Sequence, residues 1–221
     1  ISLSGTAISD ANGASLNLSA DQLKISASGF GSGANGIETT LASLSADVGA
    51  GGLYLSETDA LSVGDTAAIT VNRVKSDGTV TGSSRSDASQ SGLTSGDNLV
   101  LISGGNLTID SAISAAGNLL LDVSGDLNAN AAIGSSGGHI SLLASGAFNQ
   151  AANGDVATTG TGTIDVQAAG IVMADGATTS TGSGNIRYAA TGAIELGMLG
   201  SSGHISLSGT AISDANGASL N

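Results

Sequence analysis

Residues 95–142 read SGDNLVLISGGNLTIDSAISAAGNLLLDVSGDLNANAAIGSSGGHISL. Short aliphatic segments alternate there with glycine-containing turns, and related segments continue to residue 207. The second residues of these segments follow one another at spacings of 20, 21, 24, 22 and 19: Leu99, Leu119, Ile140, Ile164, Ile186 and Ile205. Apolar and polar residues alternate within each segment, which predicts strands with one buried and one exposed face.

Two or three strands every ~20 residues form one coil of a parallel β-helix. The sequence therefore predicts an all-β protein, a right-handed parallel β-helix (β-solenoid) of about ten coils of roughly 20 residues. The six aliphatic residues above form its core ladder. Long helices are not expected, because glycine recurs throughout and β-branched residues are common in the apolar segments. Residues 37–46, the best helical candidate, alternate well enough to be interpreted as a strand.

The composition favours a narrow core repeated many times over one thick core. Hydrophobic residues make up 40 % of the chain and charged residues 10 %, but only two Phe, two Tyr and no Trp are present. A chain this apolar is not typical of a disordered segment.

The charge and residue content exclude several roles. The net charge is −13, from 18 acidic and five basic residues, which argues against nucleic-acid binding because phosphates need Lys and Arg. The absence of cysteine excludes disulfides and cysteine-ligated metals within the chain. No run of about 18 apolar residues occurs, so no membrane-spanning helix is expected.

One segment occurs twice. Residues 1–17 read ISLSGTAISDANGASLN, and residues 205–221 repeat them at an offset of 204. This predicts that residues 1–221 are one continuous solenoid, made of one 204-residue repeat and 17 residues of the next copy. An artificially added duplicate is the alternative. Ten coils per period would lengthen a fibre by ~48 Å at the usual strand spacing.

Residues 69–97 interrupt the coil pattern and are expected to leave the solenoid as a hairpin and loop. Residues 69–71 and 79–81 flank an Asp77-Gly78 turn, and a Ser-rich loop follows. Such excursions often carry binding surfaces, although an inert insertion explains the pattern equally well. The candidate interaction residues are Arg73, Lys75, Asp77 and Arg85.

No motif in the chain predicts a catalytic, cofactor or metal site. Residues 31–36 match GxGxxG but precede a poor helix, and residues 134–138 match GxSxG without a carboxylate to orient His139 or His204. The two histidines would lie about three coils apart, which is too far to share a metal. Calcium binding between loops stays open as an alternative, through Asp10, Asp47, Asp126 or Asp175.

The repeat style of residues 95–142 resembles that of giant bacterial surface proteins, in particular filamentous-haemagglutinin-like exoproteins and autotransporter passengers. That resemblance implies a right-handed β-helix, export to the cell surface, and adhesion or fibre formation. We therefore expect an extracellular structural repeat that elongates by stacking coil on coil. Its partners are further copies in the chain or end to end, with a host or matrix ligand left open. A ligand-binding adhesin acting through residues 69–97 is the first alternative. A polysaccharide-lyase-like enzyme is the second, although Arg187 is the only basic residue after Arg85.

Overall fold

The computed structural model describes residues 1–80 and 84–217 and confirms the predicted β-solenoid. About 55 % of the chain is strand, in parallel coils about 21 residues apart that make about ten turns. No helix occurs in the described ranges, so none of these segments could cross a bilayer as a helix. The strand interpretation of residues 37–46 is confirmed, because they lie within the strand Ile37–Val48.

The strands are short, because glycine or a polar turn ends most of them after three to five residues. In chain order they are β1 (Ser2–Gly5), β2 (Leu18–Ala27), β3 (Ile37–Val48), β4 (Leu53–Glu57), β5 (Leu61–Val63), β6 (Asp65–Thr66), β7 (Ile69–Asn72), β8 (Ser84–Asp87), β9 (Gln90–Ser91), β10 (Leu93–Ser95), β11 (Leu99–Ser103), β12 (Leu107–Ile109), β13 (Ile113–Ala115), β14 (Leu119–Val123), β15 (Leu127–Ala129), β16 (Ile133–Ser135), β17 (Ile140–Ala144), β18 (Ala147–Gln150), β19 (Val156–Thr158), β20 (Ile164–Ala168), β21 (Gly170–Met173), β22 (Thr178–Ser180), β23 (Ile186–Ala190), β24 (Ile194–Leu196), β25 (Met198–Gly200), β26 (Ile205–Ser208) and β27 (Ile212–Asp214).

Each regular coil has three sides, and each side forms its own stack of parallel strands. Side A contains the aliphatic residues singled out in the sequence, placed in direct register with one another. In order along the axis, its first positions are Ile8, Phe30, Leu53, Leu99, Leu119, Ile140, Ile164, Ile186 and Ile205. Leu99 to Ile186 are at most 1 % exposed, whereas Ile205 is 42 % exposed because no further coil of the described residues covers it.

Sides B and C stack in the same way. Side B runs through Leu61, Leu107, Leu127, Phe148, Ile171, Ile194 and Ile212. Side C runs through Leu3, Ile25, Ala46, Leu93, Ile113, Ile133, Val156, Thr179 and Leu199. Because successive strand residues face opposite ways, every second residue enters the core and its neighbours face outward.

The core is narrow and mostly aliphatic, and a buried polar cluster lies within it around Tyr188. Tyr188 is fully buried, and its ring lies edge-on to Phe148 with the centroids 6.4 Å apart. Its hydroxyl is 2.6 Å from the Thr179 hydroxyl, which donates to Gln150 Oε1 at 3.2 Å. Burial raises the pKa of the Tyr188 hydroxyl, so it stays protonated and available as a donor. The cluster joins three coils through hydrogen bonds inside the core.

Within the described residues the solenoid is interrupted once, between β5 and β10. The strands β6 and β9 pair antiparallel at the base of this excursion, and β7 pairs with β8 beyond them. The excursion spans residues 65–92, since Leu93 is back in register on side C. The sequence predicted residues 79–81 as the second strand of the hairpin. This prediction is wrong for Thr79 and Val80, and Thr81 lies outside the described residues. The hairpin instead closes through Ser84–Asp87, because hydroxyl and amide side chains pair there across the strands.

Candidate functional site: the stacking edges and the excursion

A ladder of side chains joins consecutive coils at the corner before side A. Asn98 Oδ1 accepts the Asn118 backbone N–H at 2.9 Å, and Asn118 Oδ1 accepts the His139 N–H at 2.9 Å. His139 Nδ1 accepts the Thr163 N–H at 3.1 Å, and Asn185 Oδ1 accepts the His204 N–H at 2.9 Å. At a corner the backbone leaves the sheet ladder, so these side chains supply acceptors that the strands cannot. We call this set the corner ladder.

The glycines that precede the corner ladder are required by close packing between coils. A Cβ added at Gly138, Gly162 or Gly184 would overlap the carbonyl oxygen of the glycine one coil below. The recurring glycine followed by Asn or His and an aliphatic residue is therefore a stacking motif. The corner of each coil thus fits closely against the corner of the next.

A buried carboxylate compensates for an irregular coil near the start of the solenoid. The Glu57 carboxylate accepts the Leu41 N–H at 3.0 Å and the Thr39 hydroxyl at 2.6 Å. The residue is 2 % exposed, and burial raises the pKa of its carboxyl group above the ordinary value. β3 is one continuous strand, whereas the next coil turns between β4 and β5. The part of the β3 backbone that lies opposite this turn has no strand partner, and the Glu57 carboxylate takes the place of that partner.

The two ends of the described solenoid expose apolar residues whose counterparts in interior coils are buried. Ile1 and Leu16 are 40 % and 51 % exposed at one end, and Ile205 and Ile212 are 42 % and 49 % exposed at the other. Ile194, the side B neighbour of Ile212, is fully buried. These end faces are open sheet edges with apolar interiors, which favour pairing with further coils.

The two copies of the repeated segment form the same turn. In the first, Asp10 Oδ1 accepts the Asn12 N–H at 2.8 Å and Gly13 has φ of 67°. In the second, Asp214 Oδ1 accepts the Asn216 N–H at 2.9 Å and Gly217 has φ of 62°. The hydrogen bonds to Asp10 from Asn12, Asn17 and Asn35 lower the pKa of its carboxyl group. The last residues of the second copy, 218–221, lie outside the described residues.

The first copy stacks on the coil that follows it, and the second copy stacks on the coil that precedes it. Leu3 pairs with Ile25, and Ile205 pairs with Ile186. Following side A from Ile8 to Ile205 takes eight turns, and one further side leads to Ile212, the counterpart of Ile8. The offset of 204 therefore corresponds to a rise of ~40 Å. The expected rise of ~48 Å per period is too large, because residues 65–92 add no coil to the stack.

The base of the excursion is built into the solenoid. The Thr66 hydroxyl, 1 % exposed, lies 2.6 Å from the Ser45 hydroxyl, and Gln90 Nε2 donates to the Ile25 carbonyl at 2.9 Å. Lys24 is 4 % exposed, and its ammonium donates to the Ala88 carbonyl. The excursion therefore covers β2 and β3, and its base holds a fixed position on the rod.

The outer part of the excursion is exposed and has two different faces. On one face, the Thr70 hydroxyl donates to Ser86 and the Ser84 hydroxyl donates to Asn72. The opposite face carries Val71 beside Arg85. In the turn beyond β7, Asp77 accepts the N–H and the hydroxyl of Thr79, and these bonds lower the pKa of the Asp77 carboxyl group.

The accessible positive charge is concentrated on the excursion. Residues 65–92 contain three acidic and three basic residues, whereas the rest of the chain contains 15 acidic and two basic residues. Of those two, Lys24 is buried and Arg187 is 2.8 Å from Asp165 in the only ion pair of the described residues. Arg73, Lys75 and Arg85 are exposed, as are Val71, Val74 and Val80 at 57 %, 66 % and 42 %.

The remaining candidate residues do not converge in the described ranges. No three His, Cys, Asp or Glu side chains there are placed to hold a metal ion, so Asp10, Asp47, Asp126 and Asp175 form no joint cluster. The GxGxxG segment closes on itself through Ser32 and Asn35 and leads into a strand. Arg187 lies on the outward face of side A with Asp165 as its ion-pair partner.

No protein-family model matches this chain, and no curated protein or solved structure matches it either.

Three parts of this site were not recognised from the sequence. The corner ladder has a signal in the sequence, since Asn or His recurs directly before the aliphatic positions. The burial of Lys24 has no signal in the sequence, because the carbonyl that accepts its hydrogen bond lies 64 residues away. Glu57 left none either, since its role depends on how two neighbouring coils differ in shape.

Proposed function

We propose that this chain is a structural repeat of an extracellular fibre or adhesin stalk that elongates by stacking coil on coil. The observation that carries the proposal is the duplicated segment, which pairs with a following coil in one copy and with a preceding coil in the other. A coil of this sequence thus has a fitting neighbour on each of its two edges.

The stacking contacts support a mechanical role. Each added coil buries aliphatic residues on three sides and satisfies its backbone through the strand and corner ladders. In solenoids each unit contacts only its neighbours, so stability grows with every unit added. A rod of this kind spaces whatever it carries away from its point of attachment. The bacterial and cell-surface setting is part of the proposal and rests on the resemblance in repeat style.

The test is to measure chains of one, two and four copies by electron microscopy. We expect straight rods of constant width whose length grows by ~40 Å per copy. The control joins two copies through a flexible Gly/Ser linker, which should give two short rods at variable angles. Separate globular particles in place of one lengthening rod would contradict the proposal.

A second candidate function is ligand binding through the excursion, favoured by its exposed Arg73, Lys75 and Arg85. A hairpin with three exposed basic side chains on an otherwise acidic rod suits an anionic matrix polymer. Alginate should bind at low salt and release at high salt, whereas neutral dextran should not bind. Changing all three basic residues to Ser should abolish alginate binding, and Ser76→Ala should leave it unchanged. Equal binding by the triple variant would contradict this function.

A further inference from the structure

The two copies of the repeated segment lie on different sides of the solenoid. In the first copy Leu3 is on side C and Ile8 is on side A. In the second copy the matching residues are Leu207 on side A and Ile212 on side B. Both residues have advanced by one side, and both in the same direction along the coil.

Chain length explains the advance. Ile205 follows Ile186 by 19 residues, which is one coil, so it returns to side A. Leu207 follows Met198 on side C by only nine residues, which is too few for another full coil. The segment therefore cannot reach side C again. The period of 204 residues spans eight turns and one side, not a whole number of turns.

We infer that successive copies stack as a screw, each turned by one side of the coil relative to the copy before it. This inference rests on the proposed fibre and specifies how its copies contact each other. For a three-sided coil the rotation is about 120° per copy, with a rise of ~40 Å. The partner of each end face is a second copy of this chain, presented one side out of phase.

The screw determines where the excursions project. There is one excursion per copy, fixed to the rod through Thr66, Gln90 and Lys24. Successive hairpins would therefore point in three directions, and every third one would be in line, ~120 Å further along the axis. A fibre of this kind presents its basic hairpins to partners all around it, instead of along one face.

The register of the junction can be read with engineered cysteines, because the chain has none of its own. In a two-copy chain, Ser208 should lie beside Ala189 on one edge and beside Ser26 of the second copy on the other. Neighbouring register positions in parallel strands have the Cα separation that a disulfide needs. We expect Ala189→Cys with Ser208→Cys, and Ser208→Cys with Ser26→Cys of the second copy, each to oxidise to a disulfide.

The matched control pairs Ser208→Cys with Gly200→Cys, which are neighbours only if the second copy starts on side C. A disulfide in this control, with none between positions 189 and 208, would overturn the screw. Helical reconstruction of long arrays gives a second measurement, in which a rotation near zero per copy would also overturn it. Both of these results are possible in a rod that still lengthens with each copy, so they would contradict the screw without contradicting the fibre. Arrays that form no rod would instead contradict the proposed fibre.

Discussion

The regular coils from β10 to β24 and the excursion at residues 65–92 are built from similar residues but are stabilised differently. In the coils, alternate residues are buried on three sides and each strand has a neighbour above and below. In the hairpin of the excursion, nearly every residue is exposed and each strand has one neighbour. In the coils, stacking buries the aliphatic residues that lie between serine, threonine and glycine, whereas in the hairpin the same residue types pair through exposed side chains.

The largest expected contrast is between an interior and a hairpin aliphatic residue. Leu121 is fully buried on side A, whereas Val71 is 57 % exposed. Leu121→Ala should lower the free energy of unfolding by about 3 kcal/mol through lost contacts and a cavity. Val71→Ala should change it by less than about 0.5 kcal/mol. Urea unfolding of both variants tests this, and similar losses would mean that the coils are not packed as described.

A smaller contrast is expected between a buried and an exposed hydroxyl. Tyr188→Phe removes the hydroxyl that meets Thr179 inside the core, which should cost about 1–2 kcal/mol. Ser86→Ala removes an exposed partner of Thr70, and water can replace it at almost no cost. Thermal unfolding of the two variants should therefore separate them. An unchanged Tyr188→Phe variant would show that the polar cluster contributes no net stability.

One substitution can weaken the junction between the excursion and the coils without changing the coils themselves. Gln90→Ala removes the bond to the Ile25 carbonyl at the base of the excursion. We expect amide exchange in residues 65–92 to accelerate about five-fold, the equivalent of one hydrogen bond, while the coils stay protected. Gln167→Ala is the control, since its amide bonds only the exposed Asp165. Faster exchange throughout the coils would show that the excursion is not a separate unit of stability.

The smallest contrast is in pH dependence, where the two regions should differ in sign. The pKa of the Glu57 carboxyl group is raised by burial, so the folded coils retain its proton more strongly than the unfolded chain does. Its contribution to stability therefore falls as pH rises from the ordinary pKa of 4.5 through the raised value. Glu57→Gln should remove this decline in unfolding measured against pH.

The pKa of the Asp77 carboxyl group is lowered by hydrogen bonds from Thr79, so its effect has the opposite sign. Its contribution to the turn is present above the ordinary pKa of 3.8 and is lost as pH falls through the lowered value. Protection of the Thr79 amide against exchange, relative to its intrinsic rate at each pH, should fall on acidification, and Asp77→Asn should remove the effect. If the contributions of Glu57 and Asp77 to stability changed with pH in the same direction, this would contradict the environments described for the two carboxyl groups.

The sequence predicted the regular coils well because burial controls their register. A shift of one residue would place Leu99, Leu119 or Ile140 on the outer face. The alternation of apolar and polar residues and the spacing of the glycines are therefore compatible with only one register of the strands. The excursion was predicted less well, since Ser84–Asp87 has no apolar pattern and pairs through polar side chains. Its anchors, Lys24 with Ala88 and Gln90 with Ile25, are long-range contacts that local patterns do not encode. The rise per 204-residue period was overestimated for the same reason, because the excursion was counted as part of the stack.

The central claim, that copies stack into one continuous solenoid, is tested most directly by X-ray diffraction from aligned fibres of a multi-copy chain. Strands that cross the fibre axis and stack along it should give a meridional reflection near 4.8 Å. We expect that reflection together with a longer axial repeat of ~40 Å from the copies. A strand-spacing reflection on the equator, or fibres without it, would contradict the stacking of coils along the axis.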